Sequence, residues 1–509
     1  MSGTSIIILC TILAYMCVLI GVGVYNSKKN SNAEDFYLGG RSMGPYVVAM
    51  SAEASDMSSW LLMGLPGVAY LTGLADPFWT AAGLALGTYL NWLLVSRRLR
   101  RYSEIVDAIT VPTFFSKRFH DKKNIISAIS AALIIIFFVP YVASGFAACG
   151  KLFNTLFGLN YSTGMILFAV IIVIYTIMGG FTTVATNDFI QSIVMSAALI
   201  SITVFGVKSA GGMDAVISNA SSLPGFLKFT ESYNATANAA SAYGIITIIS
   251  TMAWGLGYFG MPHVLVRFMA IGDEKELVVS RRVASIWVVI AMGTAVFIGI
   301  IGLAMSGVGA MEALADPETV IIAITNLLAD NGFLAAVLGG VILAGILAAT
   351  MSTADSQLLV AASGVSEDII RDFFGKQLTE KQSVKIARLT ILAVSVIGVF
   401  LARDPNSSVF GIVSFAWADI GAAFSGVMLC ALFWKRTTLA GAIAGMVSGG
   451  AMVFIWKYAV RPLGGIFNIY ELLPAFLVSL IVIVVVSLCT KAPEQGIVDE
   501  FEKARKPLA

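Results

Sequence analysis

Met50-Ser51-Ala52-Glu53-Ala54-Ser55-Asp56-Met57-Ser58-Ser59 interrupts an apolar segment over about residues 46–71, and it carries two acids and four serines. A carboxylate near the centre of a bilayer costs at least ~2.5 kcal/mol on insertion scales and survives only against a protein interior, a water-filled path or a bound cation. Serines compete for backbone hydrogen bonds and weaken a helix, which frees carbonyls to act as ligands. The stretch predicts a broken transmembrane helix that handles a cation.

The rest of the chain supplies the membrane context. Of 509 residues, 58% are hydrophobic and 12% charged, about half the charged share of a soluble domain. The net charge of +2 suggests neither a nucleic-acid nor an acidic partner. Five cysteines, Cys10, Cys17, Cys149, Cys430 and Cys489, lie in apolar stretches without paired spacing and read as small buried hydrophobes. No Ser/His/Asp set, phosphate loop or metal-ligand cluster appears, so no enzyme and no cofactor is expected.

Apolar stretches measured against a ~30 Å hydrocarbon core predict thirteen spans, near 5–25, 46–71, 78–95, 125–149, 161–178, 188–207, 242–261, 283–305, 333–361, 386–402, 409–434, 440–456 and 471–489. The first lacks a basic leading region and is followed by Lys28 and Lys29 rather than a small-residue cleavage site, so it reads as a retained helix with its N-terminus outside. Alternating spans then put Lys151, Lys208, Lys228, Arg403, Lys457 and Arg461 outside and the remaining 26 of the 32 Lys and Arg inside, as the positive-inside rule demands. A multi-pass cell-membrane protein with a cytoplasmic C-terminus follows. The polar segment 208–241 reads as a linker, and 491–509 as a short charged solvated tail.

A second interrupted segment, Thr251-Met252-Ala253-Trp254-Gly255-Leu256-Gly257-Tyr258-Phe259-Gly260-Met261-Pro262-His263, falls in the seventh span. The second and seventh spans cross in opposite directions, which suggests two inverted five-helix repeats with a site at their interface. In the ninth span, Ala349, Ser352 and Thr353 share one face at i, i+3, i+4. Their hydroxyls and carbonyl, with carbonyls freed around Ala54 and Met57, make a five-oxygen cage of little net charge, suited to a weakly held monovalent ion. The alternative is that Ser352 and Thr353 simply bond back to carbonyls of their own helix.

These residues resemble the sodium/solute symporters, and within them the sodium/proline branch, over nearly the whole chain. The likeness is carried by Tyr37-Leu38-Gly39-Gly40-Arg41-Ser42, Ala54-Ser55-Asp56-Met57-Ser58, Trp60-Leu61-Leu62-Met63-Gly64-Leu65-Pro66-Gly67, Trp254-Gly255-Leu256-Gly257-Tyr258-Phe259-Gly260 and Met351-Ser352-Thr353. It implies an all-α polytopic membrane protein with the LeuT-type 5+5 inverted repeat, one extra N-terminal helix and two extra C-terminal helices. The repeats would cover 46–207 and 242–434 of a single transporter domain, with the C-terminal pair at 440–489.

The resemblance implies L-proline import coupled to inward sodium movement. Sodium would be held by Ala54, Met57, Ala349, Ser352 and Thr353, with Asp56, Arg41 and Asp188 serving ion coupling. The solute pocket would be lined by Ser58, Tyr141, Trp254, Tyr258 and Pro262. On their own, Trp254 and Tyr258 also read as helix packing, and Arg41 as a positive-inside anchor.

The chain departs from the branch at the proposed site. Glu53 and Ser59 stand where glycines are usual, Met261 where glutamine is usual, and Asp355 and Asp419 at usually neutral positions. With no basic residue expected at their depth, Glu53, Asp355 or Asp419 would be protonated or bind an additional cation. A different small amino acid or carboxylate solute therefore stays open as the alternative, as do proton coupling and, below these, a solute sensor or channel. Sodium is the only metal expected, and no obligate protein partner is evident.

Overall fold

The computed structural model describes residues 2–26 and 33–506. Lys28 and Lys29 of the first inside segment, and 507–509 of the tail, fall outside that range. Helix α1 (Gly3–Asn26) and the short α2 (Ala33–Leu38) lead into α3 (Pro45–Asp56), which stops within the polar decamer; the chain resumes as a π-turn, Trp60–Gly64, and α4 (Leu65–Thr72). Then come α5 (Ala75–Leu90), α6 (Ser96–Ile105), α7 (Val111–Arg118), α8 (Ile125–Phe157) and α9 (Tyr161–Ser209). Helix α9 is kinked at Gly180, whose φ of 64° is open to glycine and strained for other residues.

Past α10 (Met213–Ser222) and an antiparallel hairpin of Glu231–Asn234 with Ala239–Ala242, the chain forms a second broken element. It consists of α11 (Ile245–Met252), a 3-10 stretch Ala253–Phe259 and α12 (Pro262–Ala270), bent by 45°. The remainder is α13 (Leu277–Gly307), α14 (Val320–Ala329), α15 (Phe333–Ser363), α16 (Glu380–Leu401), α17 (Val409–Phe433), α18 (Leu439–Ile455), α19 (Leu472–Cys489) and α20 (Gln495–Ala504).

Length and apolarity mark 10 helices of the described residues as able to cross a bilayer, or 11 when the bent α11–α12 pair counts as one span. The expected span 46–71 does not pass as a single helix, because it is cut by the break after Asp56, which leaves Trp60–Thr72 as a shorter apolar helix. The expected span 161–178 lies in α9, before its kink at Gly180.

Both breaks have local causes. The Ser58 amide turns back to the Asp56 carbonyl (2.8 Å) instead of continuing the ladder to Ala54, and Met57 leaves helical geometry at ψ 69°. Pro262 opens α12 after Met261 has gone extended, as proline in a first turn allows. Glycines let the broken element press against its neighbour: a β-carbon on Gly87 would lie 2.2 Å from the Gly255 carbonyl oxygen.

The stripe Gly441, Gly445, Gly449 packs α18 onto α19 and α17. A β-carbon at Gly445 would sit 2.1 Å from Ile483 Cγ1, and one at Gly449 2.3 Å from the Ala422 carbonyl oxygen. Because that oxygen belongs to backbone, Gly449→Val should lower stability by about 2 kcal/mol through overpacking, read as an earlier thermal unfolding transition in detergent.

Three expectations are corrected. The 208–241 segment is no bare linker: besides α10 and the hairpin, its Phe226 carbonyl accepts from the Leu74 amide (2.8 Å), and its Phe229 carbonyl from Trp79 Nε1 (2.8 Å). The tail is not simply solvated, because α20 buries Ile497, Phe501 and Ala504, and Phe501 lies under the Arg118 guanidinium. Only Cys149 and Cys430 are buried; Cys10, Cys17 and Cys489 are exposed on helix faces that in a bilayer meet lipid.

Candidate functional site

The break in α3 and the polar face of α15 meet. Ser352 Oγ donates to the Ala54 carbonyl at 2.7 Å across the two helices and to the Ala349 carbonyl at 3.1 Å, while Thr353 Oγ1 donates to Ala349 at 3.2 Å. Back-bonding within α15 therefore coexists with a link between helices, and the link is the part that spacing alone leaves open. The Ala54 carbonyl is available because the Ser58 amide has gone to Asp56, and the Leu61 amide donates to Ser58 (3.0 Å), one residue past Met57. All five residues expected to form the cage are buried. Carbonyl and hydroxyl oxygens of this kind, without a carboxylate among them, suit a hard monovalent cation.

Asp56 ties this cage to the second broken element. Its Oδ2 accepts from the Tyr258 hydroxyl, and its carbonyl accepts from Trp60 Nε1 (3.3 Å) and from the Tyr141 hydroxyl (3.5 Å). Ser58 Oγ accepts from the Trp60 amide at 3.3 Å. Four of the five solute-pocket candidates, Ser58, Tyr141, Trp254 and Tyr258, thus gather around the break, with Trp254 reaching it through its ring contact with Trp60 at 6.0 Å. Pro262 does not join them. It lines a small separate cavity with Tyr37, Phe181, Arg267 and Ser356.

The aromatic cluster is larger than the sequence suggested. Trp254 stacks on Tyr470 with centroids 5.1 Å apart, lies 5.5 Å from Phe410, and gives its carbonyl to Trp417 Nε1 at 2.8 Å. Tyr258 meets Trp417 edge-on at 5.1 Å. Phe410, Trp417 and Tyr470 belong to late segments whose register with the broken helix no local pattern reveals.

Asp188 lies at the heart of a buried ion pair. Arg267 Nη2 is 3.0 Å from its Oδ2, and Ser51 donates to the same oxygen at 2.6 Å. The guanidinium also donates to Ser51 Oγ (3.0 Å), Ser356 Oγ (2.5 Å) and the His263 carbonyl (2.5 Å). Arg267 is thus a basic residue buried in the interior, and the carboxylate it pairs with is Asp188. Arg267 reads in sequence as an inside anchor, yet the bend before α12 carries it into the protein.

Arg41 is a clasp rather than a free surface charge. It donates to the carbonyls of Met269 (3.0 Å), Ser103 (3.3 Å) and Ala108 (2.7 Å) and lies 3.5 Å from Glu34. Burial holds its pKa below the ordinary arginine value. Of the extra acids, Glu53 accepts from Trp92 Nε1 (3.0 Å), Asp355 accepts from Ser356 (3.3 Å), and Asp419 is buried with neither carboxylate oxygen hydrogen-bonded.

A further charged knot sits at the other end of α8, unforeseen in the sequence. Lys151 is 2.8 Å from Glu318 and 2.9 Å from Asp316. Glu318 in turn caps α17, accepting from Ser408 Oγ (2.9 Å), the Val409 amide (3.1 Å) and the Phe410 amide (3.0 Å). Glu318→Ala removes every one of these bonds and strands Lys151 beside Asp316 alone, so we expect about 2–3 kcal/mol of lost stability, measured by thermal shift.

Comparison with known proteins decides what this arrangement belongs to. The profile of the sodium:solute symporter family matches residues 36–449. The chain belongs to that family. Sodium/proline symporters of Staphylococcus aureus strains JH9 and NCTC 8325 are 41% identical to this symporter over 502 residues, covering 97% of it and 95% of each relative. A sodium-coupled sialic acid symporter, solved in a substrate-bound outward-open state, superposes with a TM-score of 0.77 at 17% identity, over 96% of this chain and 99% of that one. Mhp1, a nucleobase-cation-symport-1 family transporter, gives 0.55 at 15% identity over 93% and 99%, and MhsT 0.52 at 12% identity over 87% and 97%. The fold is the LeuT-type inverted repeat, and this multi-pass membrane protein is a sodium-coupled symporter.

Proposed function

We propose that this symporter imports L-proline together with sodium by alternating access, with its N-terminus outside and its C-terminus in the cytoplasm. The meeting of the Ala54–Ser58 break with Ser352 carries this reading, in a chain 41% identical to proteins named sodium/proline symporters. Sodium sits among Ala54, Met57, Ala349, Ser352 and Thr353 and holds α3 to α15. Tyr258 and Tyr141, both bonded to Asp56, sense that closure and present a flat aromatic wall. A pyrrolidine ring suits such a wall, since apolar faces bury its methylenes while Ser58 and the exposed backbone meet the zwitterion.

Coupling is reciprocal: sodium tightens solute by the same factor by which solute tightens sodium. The repeats at 46–207 and 242–434 rock about this site, Arg41 steadies the inner side, and the Asp188–Arg267 pair opens to pass the ion. The membrane potential adds ~2.3 kcal/mol per charge per 100 mV to the driving force. Sodium is the coupling ion, and no cofactor or protein partner enters the cycle.

A second solute class is favoured by one observation. Ser59, in place of the usual glycine, is fully buried with an unbonded hydroxyl beside Ser58. A small amino acid with a polar group on its side chain, which proline lacks, would use it. Labelled-proline uptake into proteoliposomes under an imposed sodium gradient tests both readings, with lithium, proton and potassium gradients alongside. Sodium-driven accumulation supports proline. Sodium-driven uptake of another small amino acid or carboxylate, with none of proline, moves the substrate while keeping the symport.

A further inference from the structure

Trp254, expected to line the solute pocket, is backed by a residue from outside the broken helices. Tyr470 comes from the segment joining α18 to α19, and its ring centroid lies 5.1 Å from that of Trp254 at an interplanar angle of 17°. Of the four rings that surround Trp254 among the described residues, Tyr470 is the nearest and the closest to parallel; Phe410, Trp60 and Trp417 stand 5.5, 6.0 and 6.4 Å away at 41°, 34° and 28°. A near-parallel pair of this kind is attractive and restricts how far either ring can turn.

The chain is pinned where it delivers Tyr470. Residues 461–469 are exposed or half-buried, and Tyr470 and Glu471 then turn inward. The Tyr470 amide donates to Ser250 Oγ at 2.6 Å, one turn before Trp254 on the same broken element, and the Tyr470 hydroxyl donates to the Ser414 carbonyl of α17 at 2.7 Å. Glu471 is 1% exposed and is held by Arg461 Nη1 at 3.0 Å and Lys457 Nζ at 3.8 Å. A buried carboxylate is costly unless it is paired, so these cations anchor the corner on which Tyr470 stands. The Trp254 carbonyl is fixed separately, by Trp417 Nε1 at 2.8 Å. Backbone and ring of Trp254 therefore have different supports, and Tyr470 supplies the second.

We propose that Tyr470 is a positioning residue for solute selection: it fixes the Trp254 ring, and the place of that ring sets the size of the cyclic amino acid the pocket accepts. The segment between the two C-terminal helices thereby becomes part of the solute site. This rests on the proline-symport reading, in which Trp254 lines the pocket, and extends it. Flat apolar walls bury the methylenes of a pyrrolidine ring only while they keep their spacing. Without Tyr470, Trp254 turns into the vacated space, which loosens the contact with proline and admits a ring one methylene larger.

Sodium-driven uptake of labelled proline into proteoliposomes, in competition with unlabelled pipecolate, the six-membered-ring homologue, measures the selection. We expect Tyr470→Ala to raise the half-saturating proline concentration about tenfold and to lower the ratio of pipecolate to proline inhibition constants by about as much, the scale of one lost aromatic stack. Tyr470→Phe keeps the flat ring and should stay within about twofold of wild type in both readouts. Tyr470→Leu keeps apolar bulk without the flat face; it should shift as the alanine variant does, and it guards against an alanine variant that fails to fold. The ratio does not depend on how much protein folds, so a merely structural role leaves it unmoved. A ratio unchanged in both Tyr470→Ala and Tyr470→Leu, or changed as much in Tyr470→Phe, overturns the positioning role while leaving proline symport standing. A wild type that binds labelled sodium but accumulates no proline fails the proline reading, and the selection argued here falls with it.

Discussion

Replacing Ser352 and Thr353 together by alanine is expected to abolish sodium-driven uptake at physiological sodium, raising the half-saturating concentration by about 100-fold. In the proposed cage each hydroxyl supplies one oxygen, and losing a well-placed ligand costs about 1–1.5 kcal/mol, so two cost roughly 3 kcal/mol. Ser352→Ala alone should have the larger effect of the two single changes. Its hydroxyl bonds Ala54 across to α3, whereas Thr353 bonds only Ala349 on its own helix. The sodium dependence of uptake in proteoliposomes measures all three variants. A double variant with unchanged half-saturation would place the coupling ion elsewhere.

The second large effect is structural. Arg267→Gln should destabilise the protein by about 3–5 kcal/mol, because it leaves the Asp188 carboxylate buried beside Ser51 with its charge uncompensated. Both partners are nearly inaccessible, at 2% and 0% side-chain exposure, so solvent cannot substitute for the lost guanidinium. Removing both charges, with Arg267→Met and Asp188→Leu, should recover most of the stability, since a hydrophobic pair of similar volume relieves the desolvation penalty. Transport should not return if, as proposed, the ion passes the polar cluster of Ser51, Asp188 and Ser356, which the double variant removes. Thermal unfolding of the two single variants and the double variant forms a double-mutant cycle; additive losses would mean that the pair is not a unit.

The parts of the site that were legible in sequence are those whose chemistry offends the membrane. A polar decamer in an apolar span marks itself, and so does a glycine-rich segment ended by Pro262, because lipid offers no partner for freed backbone. The i, i+3, i+4 spacing of Ala349, Ser352 and Thr353 gives one face of a helix directly. Arg267 misled for the complementary reason. Its distance along the chain from the end of a span is short, but its depth depends on the bend between Phe259 and Pro262, which hydropathy does not encode.

By itself the sequence determined that the chain is a helical membrane protein and that two of its spans are broken, since each follows from local bonding and from the penalty of polar groups in hydrocarbon. Tertiary structure alone decided which breaks face which partners: Ser352 with Ala54 across 298 residues, Tyr258 with Asp56 across 202, Arg267 with Asp188 across 79, and Trp92 with Glu53 across 39. Those pairings depend on how helices are bent, rotated and pressed together at glycine contacts, quantities set by the packing of the whole bundle and carried by no single segment.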